Sequence, residues 1–132
     1  MLNFTVLSIW YVNSRMRLQD QFRETLKIII MFSILKSLFG KPVDFQSVLN
    51  RGAIIVDVRS NGEFKSGSVK GARNIPLDQL SSKVSELKKT GKPIITVCRS
   101  GARSGMAKSI LANAGLEVYN GGPWISLASK IS

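Results

Sequence analysis

Histidine is absent from all 132 residues, and cysteine occurs once, as Cys98. The first absence excludes every mechanism built on an imidazole, the Cys–His and Ser–His–Asp arrangements included. The second excludes an internal disulfide framework and a cysteine-built metal site. It also fits a reducing compartment, so a cytoplasmic location is expected. Acidic residues are scarce as well: 8 Asp and Glu stand against 19 Lys and Arg, a net charge of +11. That excess points to an anionic partner, whether a small oxyanion, a nucleic acid or a membrane surface, with a solvated basic face as the alternative. No run of Arg and Lys interleaved with aromatics occurs, so no nucleic-acid groove is expected. No apolar run approaches the about 20 residues that a membrane-spanning helix needs, so no membrane span is expected either.

What is present suits one globular domain. At 14.5 kDa, with 44% hydrophobic and 20% charged residues, the chain can bury one real core and is too short for two. The first part differs in character from the rest. "MLNFTVLSIWYV" is apolar, Asn13 to Lys27 is polar and charged, and "IIIMFSIL" (Ile28 to Leu35) is apolar again. No small-residue cleavage site follows, which disfavours a signal peptide. Met31 offers an internal start, which would leave residues 1–30 upstream of the natural product. Residues 1–36 are therefore read as an N-terminal extension and residues 37–132 as the domain.

From Pro42 onward the signals are regular. "VDFQSVLNRG" has Asp44 as N-cap, Phe45, Val48 and Leu49 on one face, and Gly52 as a stop, which predicts a short helix. "AIIVDV" (Ala53 to Val58) is a near-continuous β-branched run, the mark of a strand buried on both faces. "SNGE" (Ser60 to Glu63) is a capping box opening a helical turn. "ARNI" predicts a short strand, and Leu77, Leu80, Val84 and Leu87 then recur at helical spacing until Gly91. "PIITVC" is a second buried strand. Met106, Ala107, Ile110, Leu111 and Ala114 mark a helix stopping at Gly115, and "LEVYN" a last strand before "GGPWISLASK". Strands alternating with helices predict an α/β domain with a mainly parallel sheet.

Cys98 stands where a buried strand ends and a helix is about to begin, and in parallel α/β sheets ligands gather at that end of the strands. The connecting "CRSGARS" carries Gly101 in its middle and arginines at 99 and 103. Such a turn can aim several backbone N–H groups at the sulfur, and a helix starting near Ser104 adds its positive end. Helix N-termini and neighbouring cations lower a thiol pKa from about 8.5 without any histidine. A buried structural cysteine is the alternative, since free cysteines are often core residues. Two arginines and a glycine directly after it make a poor core and a good anion site, which favours the reactive reading.

Taken together, "IIVDVRSNGEFKSGSVKGARNIPLDQL", "TVCRSGARS" and "YNGGPW" resemble the single-domain rhodanese family of sulfurtransferases over roughly Pro42 to Lys130. The resemblance implies a three-layer fold with a central five-stranded, mainly parallel sheet flanked by helices. It implies a cysteine that accepts a sulfane sulfur from thiosulfate or a related anionic donor as a persulfide. That sulfur then passes to cyanide, a thiol or a sulfur-accepting protein, and neither cofactor nor metal is implied. By position, Cys98 is the nucleophile. Arg99, Ser100, Gly101, Ala102, Arg103 and Ser104 form the substrate-binding loop, with Arg99 and Arg103 as candidates for the donor's charge. Asp57, Arg59 and Glu63 are expected to support the loop, Arg59 and Glu63 as an ion pair beneath it.

Two departures from the family pattern stand out. Ser68 occupies a position where many members have histidine, so no catalytic role is expected there. Gly121, Gly122, Pro123 and Trp124 are compressed, so Trp124 is expected to pack rather than bind substrate. Two rival functions remain. A phosphatase or arsenate reductase of similar fold would use a Cys-x5-Arg loop, whereas only four residues separate Cys98 from Arg103. A non-catalytic binding or sulfur-carrier module is the other rival; inactive versions usually lose the cysteine that this chain keeps.

Overall fold

The computed structural model describes residues 4–38 and 41–132, and the chain divides into two compact units, Met1–Pro42 and Val43–Ser132. The first unit contains helix α1 (Phe4–Leu38). Neither glycine nor proline interrupts these 35 residues, so nothing breaks the helix over about 50 Å. Its apolar residues do not gather on one face, which is why hydrophobic periodicity failed to announce it. Trp10, Phe22, Met31 and Phe32 are all exposed. Among the described residues no helix is long and apolar enough to cross a membrane.

The second unit runs α2 (Phe45–Asn50), β1 (Ile54–Asp57), α3 (Asn61–Lys65), β2 (Arg73–Asn74), a 3-10 turn (Leu77–Gln79), α4 (Leu80–Lys89), β3 (Ile94–Cys98), α5 (Ala102–Asn113), β4 (Val118–Pro123) and α6 (Trp124–Ile131). Local chemistry accounts for the boundaries. Asp44 accepts the Ser47 N–H at 3.2 Å to open α2, and Ser60 and Glu63 close the reciprocal capping box that opens α3.

The sheet is parallel throughout, in the order β2–β1–β3–β4. Side chains alternate between its faces. Ile54, Val56, Ile94 and Cys98 share one buried cluster with Leu80 and Leu87 of α4 and Ala107 and Leu111 of α5. Ile55, Ile95 and Val97 share the other with Val48 of α2 and Leu127 of α6. The expected three layers are therefore present, but the sheet has four strands among the described residues rather than five. Residues 41–44, ahead of α2, include Pro42, which has no N–H to give a ladder, and Asp44, which is spent on the cap. They hold no strand.

One irregularity positions the site. Thr96 lies opposite Asn120, but the next residue, Val97, lies opposite Gly122, so Gly121 is an extra residue bulged from β4. A Cβ on Gly121 would stand 2.9 Å from both the Ile95 and Val97 side chains, so only glycine fits. β4 consequently extends to Pro123, opposite Cys98, and α6 starts directly at Trp124.

Candidate active site

Cys98 is the last residue of β3, fully buried, on the face covered by α5. The chain then turns sharply: Gly101 adopts φ +97°, a left-handed conformation that other residues rarely take, and serves as N-cap of α5. The turn aims the Gly101 N–H at the sulfur, with N···Sγ 3.0 Å, and brings Ser104 Oγ to 3.4 Å from it. The helix begins at Ala102, two residues earlier than the sequence suggested. Its positive end therefore lies within the same turn as the sulfur.

Two effects compete for the thiol. Burial pushes its pKa up, and hydrogen bonds from the Ser104 hydroxyl and from the Ser104, Gly101 and Ser100 N–H groups pull it down. The hydrogen bonds prevail, and the thiol lies below its ordinary value. Activation thus comes from donors of the loop itself.

The other expected residues fall into three groups. Arg99, Ser100 and Ala102 are exposed on the loop, and Arg99 has no ion-pair partner among the described residues. Arg103, on the first turn of α5, points both terminal nitrogens at Glu63, each N···O 2.9 Å. Glu63 also accepts from the Ser60 N–H and hydroxyl, each at 3.0 Å. Hydrogen bonds from Arg103 first, then from Ser60, hold its carboxyl far below the usual range, and the Glu63 carboxylate in turn raises the Arg103 pKa. Asp57 and Arg59 form a buried pair at the end of β1, with Arg59 Nη2 2.6 Å from Asp57 Oδ2 and 2.6 Å from the Gly67 carbonyl oxygen.

The pairing differs from the expected one. Arg59 pairs with Asp57, two residues away across the strand end, and Glu63 pairs with Arg103. Glu63 is held by its own capping box on the side of α3 that meets the start of α5, which leaves Arg59 to the nearer carboxylate. Trp124 packs as expected: its ring lies 4.9 Å from the Arg59 guanidinium, and it covers Gly67. A groove of about 380 Å³, lined by Val58, Ser60, Pro76, Leu77, Asp78 and Arg103, borders the loop at Arg103.

Asn120 is the site residue the sequence did not reveal. Its Oδ1 accepts from the Ser104 hydroxyl at 2.7 Å and from the Gly122 N–H at 2.9 Å, and its Nδ2 donates to the Gly101 carbonyl at 3.2 Å. In sequence it is merely an Asn before a glycine pair, the ordinary signature of a turn. Its register opposite Thr96 brings it to the loop, and the bulge at Gly121 sets the Gly122 N–H against its Oδ1.

Comparison with known proteins bears on the family and the fold. The model of the family described as "Rhodanese-like domain" matches residues 41–122. A Bacillus subtilis protein, "Uncharacterized protein YqhL", is 44% identical over 71 residues, 53% of this chain and 56% of its own length. "Thiosulfate sulfurtransferase GlpE" of Stutzerimonas stutzeri is 31% identical over 80 residues, 60% of this chain and 72% of that protein. Among solved structures, "Human Single Domain Sulfurtranferase TSTD1" superposes with TM-score 0.53 at 27% identity, covering 70% of this chain and all of that one. "Rhodanese with anions from E. coli" superposes with TM-score 0.54 at 29% identity, covering 58% and 92%.

Proposed function

The chain belongs to the family of rhodanese-like domains, and on that premise we propose that it is a thiosulfate sulfurtransferase working through a Cys98 persulfide. The Cys98 thiolate attacks the outer sulfur of thiosulfate or a related donor. A bond forms between Sγ and that sulfur, the donor's S–S bond breaks, and its electron pair leaves with sulfite. Cyanide, a thiolate or a sulfur-accepting protein then attacks the outer persulfide sulfur. The electron pair of the persulfide bond returns to Cys98, which is regenerated as the thiolate. A persulfide carrier without a second cysteine suits the reducing cytoplasm.

The observation that carries this reading is the Gly101 N–H, 3.0 Å from Sγ at the start of α5. It is a fixed donor for the negative charge that Sγ bears as the thiolate that attacks the donor and is regenerated by the acceptor. Arg99, exposed and without an ion-pair partner among the described residues, takes the donor's sulfonate end. Arg103 holds the far end of the loop against α3 through Glu63, where both arginines had been expected to share the donor.

Incubation with thiosulfate followed by intact-mass measurement tests the reading. A gain of one sulfur atom, about 32 Da, is expected on the wild type and absent from Cys98→Ser. A wild type that gains no mass from thiosulfate would sink it.

A further inference from the structure

The Ser104 hydroxyl has one proton and three acceptors within reach: Asn120 Oδ1 at 2.7 Å, the Gly101 carbonyl at 3.1 Å and Cys98 Sγ at 3.4 Å. Which acceptor holds that proton is settled by a group remote from the sulfur. The Gly122 backbone N–H can only donate, and it lies 2.9 Å from one end of the Asn120 amide. That end is therefore the oxygen, and the NH2 end faces the Gly101 carbonyl, which can only accept. An amide oxygen carries no proton, so across the shortest of the three contacts Ser104 donates to Asn120. Its lone pairs then face the sulfur, where they suit a thiol S–H and repel a thiolate.

We propose that Asn120 is a positioning residue that holds the Ser104 proton away from Cys98 while the sulfur is a thiol. When the sulfur becomes an anion, Asn120 releases that proton to it. The inference rests on the reading of Cys98 as a reactive thiolate. Ionisation turns the hydroxyl about its Cβ–Oγ bond, exchanging the Asn120 contact for one to Sγ, while Asn120 keeps the Gly122 N–H and stays in place. Ser104 thus serves the thiol and the thiolate of Cys98 with one proton.

Of the charged groups on the surrounding elements, Arg103 interacts with the Cys98 charge, an interaction that the wild type and every variant below retain. Asp57 and Arg59 at the end of β1 neutralise each other, as do Glu63 on α3 and Arg103 on α5. Arg99 on the loop and Lys108 on α5 are exposed, and Asp78 lies on the turn before α4. Tyr119 on β4 donates its hydroxyl to Glu117, just ahead of that strand, at 2.6 Å.

The test is the pH dependence of iodoacetamide alkylation of Cys98 in the full chain, without thiosulfate, so it reads the switch whether or not sulfur is transferred. Asn120→Ala is expected to lower the midpoint by about half a pH unit, the scale of one freed neutral hydrogen bond. Ser104→Ala is expected to raise it, and adding Asn120→Ala to Ser104→Ala to change nothing further. Asn120→Asp is expected to raise it, because a carboxylate holds the hydroxyl proton more firmly. A midpoint unchanged or raised by Asn120→Ala, or an equal shift with and without Ser104, overturns the proposal and leaves Asn120 a brace for the Gly101 carbonyl. Should Asn120→Ala fail to fold, a midpoint lowered or unchanged in Asn120→Asp overturns it alone. Failure of the thiosulfate mass gain beside a confirmed midpoint pattern would refute the function and spare the switch.

Discussion

Replacing Gly121 by alanine tests how β4 is seated beside the Cys98 loop. The new methyl would stand 2.9 Å from Ile95 Cγ2 and 2.9 Å from Val97 Cγ1, closer than real Cβ atoms come, and 3.1 Å from the Thr96 carbonyl oxygen, a tight contact. The obstructing atoms belong to a fully buried central strand whose side chains are close-packed, so neither partner has room to yield. Overpacking of this kind costs about 2–3 kcal/mol, a large fraction of the 5–15 kcal/mol that holds a domain together. For a domain of this length that is a fall in Tm of about 10–20 °C. Gly122→Ala is the matched control. Its Cβ meets nothing within 4 Å, and its cost is that of a left-handed backbone at φ +72°, about 1–2 kcal/mol. Thermal melting by circular dichroism of the three proteins, with thiosulfate loading of those that remain folded, reads the difference. Gly121→Ala is expected to melt lowest and, where folded, to load poorly, because the bulge that sets the Gly122 N–H against the Asn120 amide is distorted. A Gly121→Ala protein that melts within a few degrees of wild type, or above Gly122→Ala, would refute the register derived for β4.

The remaining predictions concern charge and the N-terminal unit. Arg59→Ala strands the fully buried Asp57 carboxylate and is expected to cost about 3–5 kcal/mol in urea unfolding. Asp57→Asn combined with Arg59→Met should cost less than either single change. The Glu63 carboxyl is depressed below its ordinary 4.5, so its contribution to stability is complete above that pH and is lost as pH falls through the folded value. Glu63→Gln should accordingly be less stable near neutrality and show a shallower acid limb, measured by melting between pH 7 and 3. Arg99→Ala should weaken thiosulfate use in steady-state kinetics with an unchanged Tm, whereas Arg103→Lys should lower Tm because an ammonium cannot make the two-pronged contact to Glu63. Removing residues 1–30 should leave melting and persulfide loading nearly unchanged, since Val43–Ser132 has its own core.

Much of this protein is written in short stretches of its sequence. The β-branched runs ending at Asp57 and Cys98, the capping box from Ser60 to Glu63 and the loop from Cys98 to Ser104 each depend on a few consecutive residues. Their periods, caps and left-handed glycines act locally, so the α/β class and an activated thiol without histidine were legible there. α1 was not, because breaker-free sequence permits a helix without imposing an amphipathic pattern. Partnerships across the chain were decided by the tertiary structure alone. Glu63 meets Arg103 forty residues away, and Asn120 meets Ser104 sixteen residues away. Both meetings follow from strand order and register. A side chain's own sequence states its charge and its hydrogen-bonding groups. Which partner it finds depends on which elements the sheet brings to the same end, and that is a property of the packed fold.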